Sequence, residues 1–85
     1  MIRLGSVLHV SANRNLIVKL EKIPRIGEVV VDENFKPVGD VFDIFGPVTA
    51  PYAAIKPKIS NPEILVNKML YISPRKKKIG GIQPG

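Results

Sequence analysis

Cysteine and tryptophan are absent from this chain, and histidine occurs once, at His9. Without cysteine there is neither a disulfide nor a thiolate metal site, and a reducing compartment is permitted. One histidine with no cysteine cannot complete the nitrogen and sulfur sets that hold zinc, so no metal and no cofactor is expected. His9 lies in a strand-like run and reads as a packing or surface residue rather than a base. No apolar run approaches the roughly 20 residues of a membrane-spanning helix. The opening Met1-Ile2-Arg3-Leu4-Gly5 lacks the charged head and apolar body of a signal peptide. An intact intracellular protein is therefore expected.

Positive charge is scarce where a nucleic-acid groove would need it. The formal net charge is +6, but Arg75, Lys76, Lys77 and Lys78 supply four of those units. Residues 1–73 carry nine basic and seven acidic side chains, a surplus of two. A fold that grips a phosphate backbone needs several clustered cations of its own, and none is visible here. The run Arg75–Lys78 reads as a solubilising tail, with a weak, salt-sensitive RNA contact as the minority reading.

What is present is a dense series of short strand signals. Eighty-five residues make one domain, which buries only roughly 60–65 % of its unfolded surface and leaves little room for a deep active site. Strand runs are read at Arg3–Val10, Leu16–Leu20, Glu28–Val31, Val38–Phe45, Tyr52–Lys56 and Lys68–Ile72, rich in β-branched residues. Turns are read at Asn13-Arg14-Asn15, Pro24-Arg25-Ile26-Gly27 and Asp32-Glu33-Asn34. A single helical turn is expected from Ser60-Asn61-Pro62-Glu63, capped by Ser60 or Asn61. Eight prolines and seven glycines spread between these runs exclude a long helix. The reading is all-β: five or six short strands in a small closed or nearly closed β-barrel over residues 1–73, with a basic and disordered tail over 74–85.

The run from Val38 to Phe45 carries the most information. As a regular strand it places Val41, Asp43 and Phe45 on one face and Asp40, Phe42 and Ile44 on the other. Apolar side chains then point both ways, and in a one-core domain the outward set must meet something else. Asp40 and Asp43 are separated by the same geometry and cannot share a substrate atom unless a bulge lies between them. Each reads either as a solvated or turn-bonded carboxylate or as a rim salt bridge to a partner. Gly39 is expected at a bend that curves the barrel, and Gly46-Pro47 at a loop presenting its apolar neighbours. No base, nucleophile and orienting group can be assembled, so no enzyme is expected.

Between Val38 and Ile55 there are two aspartates and no lysine or arginine. That charge disfavours stacking of RNA bases on Phe42, Phe45 and Tyr52 and favours burial against protein. The main contact set is expected to be Ile44, Phe45, Gly46, Pro47, Val48, Pro51 and Tyr52, with Val41 and Asp43 near it.

Val38-Gly39-Asp40-Val41-Phe42-Asp43-Ile44-Phe45-Gly46-Pro47 and Pro51-Tyr52-Ala53-Ala54-Ile55-Lys56-Pro57 resemble the core motif of the Gar subunit of H/ACA ribonucleoproteins. Arg3-Leu4-Gly5, Val7-Leu8-His9 and Ile59-Ser60-Asn61-Pro62-Glu63-Ile64 resemble its archaeal members in particular. The likeness covers residues 2–73, and glycine–arginine repeats of the eukaryotic members are missing. The resemblance implies a six-stranded barrel similar to the second-domain barrels of translation factors. It also implies a non-catalytic subunit that docks on the pseudouridine synthase catalytic domain. There it would assist substrate loading and product release in guide-RNA-directed pseudouridylation, and would meet the guide RNA and the other H/ACA proteins through the complex. An archaeal cytoplasm is the expected setting, a nucleolus only in a eukaryote. The alternative is a small RNA-binding barrel that uses its basic tail.

Overall fold

Valine, isoleucine and leucine fill six strands: β1 (Ile2–Val10), β2 (Leu16–Leu20), β3 (Val29–Val31), β4 (Pro37–Phe45), β5 (Tyr52–Pro57) and β6 (Met69–Ile72). They belong to a computed structural model that describes residues 2–72. Every neighbouring pair is antiparallel. The order β1-β2-β5-β4-β3-β6 closes on itself, so the expected six-stranded barrel is the observed one. Pro74 onward, including Arg75–Lys78, lies outside the described residues, and so does the expected domain boundary.

The barrel is filled by alternate residues of each strand. Leu4 and Val7, Leu16 and Val18, Val30, Val38, Val41, Ile55 and Leu70 form one buried cluster. Each such side chain contributes about 1.5–3 kcal/mol by leaving water, which makes this cluster the main source of stability. A single 3-10 turn (Pro62–Leu65) plugs one side, with Pro62 and Leu65 buried. Its position matches the expected helical turn, but its cap differs. Asn61 occupies the capping position and makes no side-chain capping bond; instead its carbonyl oxygen accepts the Ile64 N–H at 3.3 Å.

Four register shifts modify the strict alternation, two of them between Arg3 and Gly5 in β1 against β6 and between Val30 and Val31 in β3 against β4. In β1 the register against β2 shifts between Val7 and His9, and in β4 the register against β5 shifts between Val41 and Asp43. A bulge inserts one residue opposite a single partner and advances the facing of all that follow. Val41 therefore stays inside at 2 % exposure, while Phe42 turns out at 58 %. Asp43 and Phe45 follow on the outer face, and Ile44 leans inward against the core. This overturns the expected grouping of Phe42 with Ile44 and of Val41 with Asp43. It also brings Asp40 and Asp43 to one face rather than two. The cause is packing: Val41 and Ile44 both fit the interior, and three residues apart they can do so only across a bulge.

Two five-residue connections share one design, with three loop residues inside each closing pair. In the β1–β2 loop the Arg14 N–H bonds the Ser11 carbonyl at 2.8 Å and the Ser11 N–H bonds the Asn15 carbonyl at 2.8 Å. In the β3–β4 loop the Phe35 N–H bonds the Asp32 carbonyl at 3.0 Å and the Asp32 N–H bonds the Lys36 carbonyl at 3.0 Å. Left-handed backbone falls on Arg14 (φ 69°) and Phe35 (φ 64°), not on the neighbouring asparagines. Position after the turn decides this, because the third loop residue must reverse the chain into the next strand.

Candidate partner-docking face

The β4–β5 hairpin carries most of the expected contact residues at its far end. Phe45 and Tyr52 are directly paired across the strands, and their rings stack with centroids 6.0 Å apart and planes 18° apart. Gly46 follows with φ 93°. A Cβ at Gly46 would stand 3.0 Å from Tyr52 Cδ1, so the glycine both turns the chain and makes room for the stack. Pro47 opens the turn, closed by an Ala50 N–H to Pro47 carbonyl bond of 3.0 Å. Val48 at its apex is 97 % exposed. Pro51 ties the hairpin to the barrel through its carbonyl, which accepts the Leu20 N–H at 3.1 Å.

Of the expected set, Phe45, Gly46, Pro47 and Val48 face solvent, and Pro51 and Tyr52 are half-buried. Val41 is buried and belongs to the core rather than to this surface, and Ile44 is packed partly against it. Asp43 is exposed on the outer face, with its Oδ1 accepting the Ile44 N–H at 2.9 Å. Asp40 forms an ion pair inside the chain, 3.3 Å from Lys58 Nζ.

Three apolar side chains that sequence reasoning left out widen this face. Phe42 stands out at the β4 bulge, and Ile23 and Ile26 are exposed in the β2–β3 connection. That connection is bonded to β4 beside the bulge: Gly27 N–H to the Val41 carbonyl at 2.7 Å, and Val41 N–H to the Glu28 carbonyl at 2.9 Å. Arg25 and Glu28 close it locally through a 3.0 Å bond from the Arg25 N–H to Glu28 Oε1. The signal was present as two isoleucines flanking the turn Pro24-Arg25, where apolar side chains have no local use. Their nearness to β4 depends on a long-range pairing that local pattern does not encode.

The face continues sideways in two rows. Lys19, Tyr52 and Phe45 are paired neighbours across β2, β5 and β4, and His9, Ile17, Ala54 and Asp43 form the next row across four strands. Ala54 points outward but is only 7 % exposed, so its larger neighbours cover it. Beyond Val41, β4 has β5 on one side and no strand on the other among the described residues. Chemically this is an apolar, weakly charged surface beside a free strand edge. Among the described residues no group of three or more His, Cys, Asp or Glu side chains could hold a metal ion. Exposed apolar surfaces of this kind mark interaction or ligand-binding sites.

Residues 1–80 match the model of the Gar1/Naf1 RNA binding region. The chain belongs to the Gar1/Naf1 family. An uncharacterized protein of Methanothermobacter thermautotrophicus is 35 % identical over 95 % of this chain and 92 % of its own length. An uncharacterized protein of Methanocaldococcus jannaschii is 40 % identical over 85 % of each. Both relatives are archaeal, and the match covers most of each. No helix among the described residues is long and apolar enough to cross a membrane.

Proposed function

We propose that this chain is a non-catalytic subunit of an archaeal, cytoplasmic H/ACA ribonucleoprotein. It docks on the catalytic subunit of the pseudouridine synthase and assists substrate RNA loading and product release during guide-RNA-directed pseudouridylation of rRNA. Family membership supports the assembly, and the outward cluster of Phe42, Phe45, Val48 and Tyr52 supports docking through protein. Guide RNA and the remaining H/ACA proteins are met through the complex. Ile44 contributes from below by fixing the strand, and Asp43 marks the polar rim.

Co-elution and calorimetry with the purified synthase test this reading. Interface anchors of this kind contribute about 2 kcal/mol or more each, so Phe45→Ala or Tyr52→Ala should weaken binding by roughly 30-fold. Absence of any association between the parent chain and its synthase would sink the proposal. The family's description as an RNA binding region favours a second reading, a barrel that holds RNA through Arg75–Lys78. Deletion of residues 75–85 would then abolish a strongly salt-dependent affinity for free guide RNA. Unchanged activity of the assembled complex after that deletion would exclude it.

A further inference from the structure

β4 and β6 lie on either side of β3, and both run antiparallel to it. They are therefore parallel to each other, and the chain leaves β6 heading toward the Phe45 end of β4. Ile72 is level with Val30 and Val30 with Gly39, so this exit lies short of Phe42. Ahead of it is the part of β4 with β5 on one side and no strand on the other among the described residues. Asp43 stands there, exposed and in no ion pair among the described residues, whereas Asp40 is held by Lys58 at 3.3 Å. Lys22 and Arg25 are exposed in the adjoining β2–β3 connection, so the unmet negative charge is confined to β4. The groove lined by Asp32, Glu33 and Met69 lies behind the exit, at the start of β6.

Reach selects the occupant. The β2–β3 connection holds the line beside β4 as far as Gly27, bonded to the Val41 carbonyl at 2.7 Å. To enter that line beside Asp43, the chain must advance from Ile72 by about four residue rises and shift by about one strand spacing. The distance is about 14 Å, which extended backbone covers in roughly four to five residues. Counted from Ile72, Lys76 or Lys77 then arrives at Asp43, within the four successive cations Arg75–Lys78. Their long methylene stems suit the exposed Phe42, Ile23 and Ile26 beside the edge, while their charges suit Asp43. We propose that residues 75–79 of the chain itself lie along the free edge of β4, parallel to it, with Lys76 or Lys77 paired to Asp43. In that position they cover part of the docking face and must leave before a partner can bind it. The shielding rests on the docking reading above; the contact with β4 does not.

The test uses the full chain, in which Ile79→Cys supplies the sole cysteine for a nitroxide label and leaves the cations in place. Amide resonances from Phe42 to Phe45 should broaden most and those from Leu65 to Leu70 least, and high salt should relieve the effect. Asp43→Asn keeps an oxygen for the Ile44 N–H but loses the charge, so it should reduce the broadening. Asp43→Lys should abolish it, and Lys76→Glu with Lys77→Glu in the same chain should restore it. Broadening spread evenly over the barrel overturns the proposal, as does broadening centred on Asp32 and Glu33 or a charge swap that restores nothing. Broadening seen only between molecules, in a mixture of labelled and isotope-enriched chains, assigns the edge to a second copy and overturns it too. Against the purified synthase, Lys76→Glu with Lys77→Glu should bind about 3- to 10-fold tighter than the parent, as for an edge covered about two-thirds to nine-tenths of the time. Equal or weaker binding overturns the shielding. If neither chain binds the synthase, the docking reading fails and the broadening still decides the contact.

Discussion

Val41 and Phe42 are neighbours in sequence and opposites in the barrel, so truncating each in turn measures the β4 bulge. Val41 is almost completely buried. Val41→Ala removes two methyl groups, about 1.6 kcal/mol of transfer free energy, and leaves a cavity in a small core that collapses only in part. The expected loss is about 2–3 kcal/mol. Phe42 keeps more than half of its surface in water, so Phe42→Ala gives up only the covered edge of the ring and opens no cavity. Its loss should be about 1 kcal/mol. For a domain of this size the two values translate into melting-temperature drops of roughly 10–20 °C and roughly 5 °C. Urea unfolding followed by far-ultraviolet circular dichroism reads both, with an unchanged m-value as the check on cooperativity. On a regular strand the order reverses, because an inward phenylalanine truncated to alanine costs about 3–5 kcal/mol. A Phe42→Ala variant less stable than Val41→Ala would refute the bulge and the outward face built on it.

Gly39 carries a second test, since a Cβ there would lie 2.5 Å from the Lys56 carbonyl oxygen. Gly39→Ala should cost about 2 kcal/mol or more by urea midpoint, although alanine is otherwise the better residue for an ordered backbone. Glu63 carries a third: its carboxyl is held below the ordinary glutamate value, first by a hydrogen bond from backbone and then by the Arg14 guanidinium. A lowered folded value stabilises above the unfolded pKa and is lost as pH falls through the lowered one. The stability gap between parent and Glu63→Gln should therefore close on acidification below the ordinary glutamate range. Carboxyl resonances should also show the Glu63 titration moving upward in Arg14→Gln.

Strand positions were legible because each run is short, β-branched and bounded by proline, glycine or asparagine. Their number and spacing pointed to a closed or nearly closed barrel. The facing of β4 was not legible, because Val41-Phe42-Asp43-Ile44 admits two inward pairs. Phe42 with Ile44 satisfies a period of two and is the more apolar pair, whereas Val41 with Ile44 satisfies the space inside the barrel. Only the partner strand decides, through Ile55 and Ala54. The apex residues Phe45 to Tyr52 could be placed because Gly46-Pro47 ends a strand unmistakably. Ile23 and Ile26 could not, since they reach β4 through a bond from Gly27 that no local rule specifies. Phe35 was hidden by Asn34, the residue that tolerates left-handed backbone and would be given that position on propensity.

The edge of β4 from Phe42 to Phe45, unpaired among the described residues, bears on how copies of the chain meet. Unsatisfied strand edges beside exposed aromatics are templates for pairing with another copy, the first step toward ordered aggregates. Here the acidic side chain of Asp43 occupies the Ile44 N–H and carries a charge along that edge, which makes it a gatekeeper. That carboxylate places a charge where a second copy of the chain would have to pair. Two such edges brought side by side would set like charges against each other, which opposes their pairing.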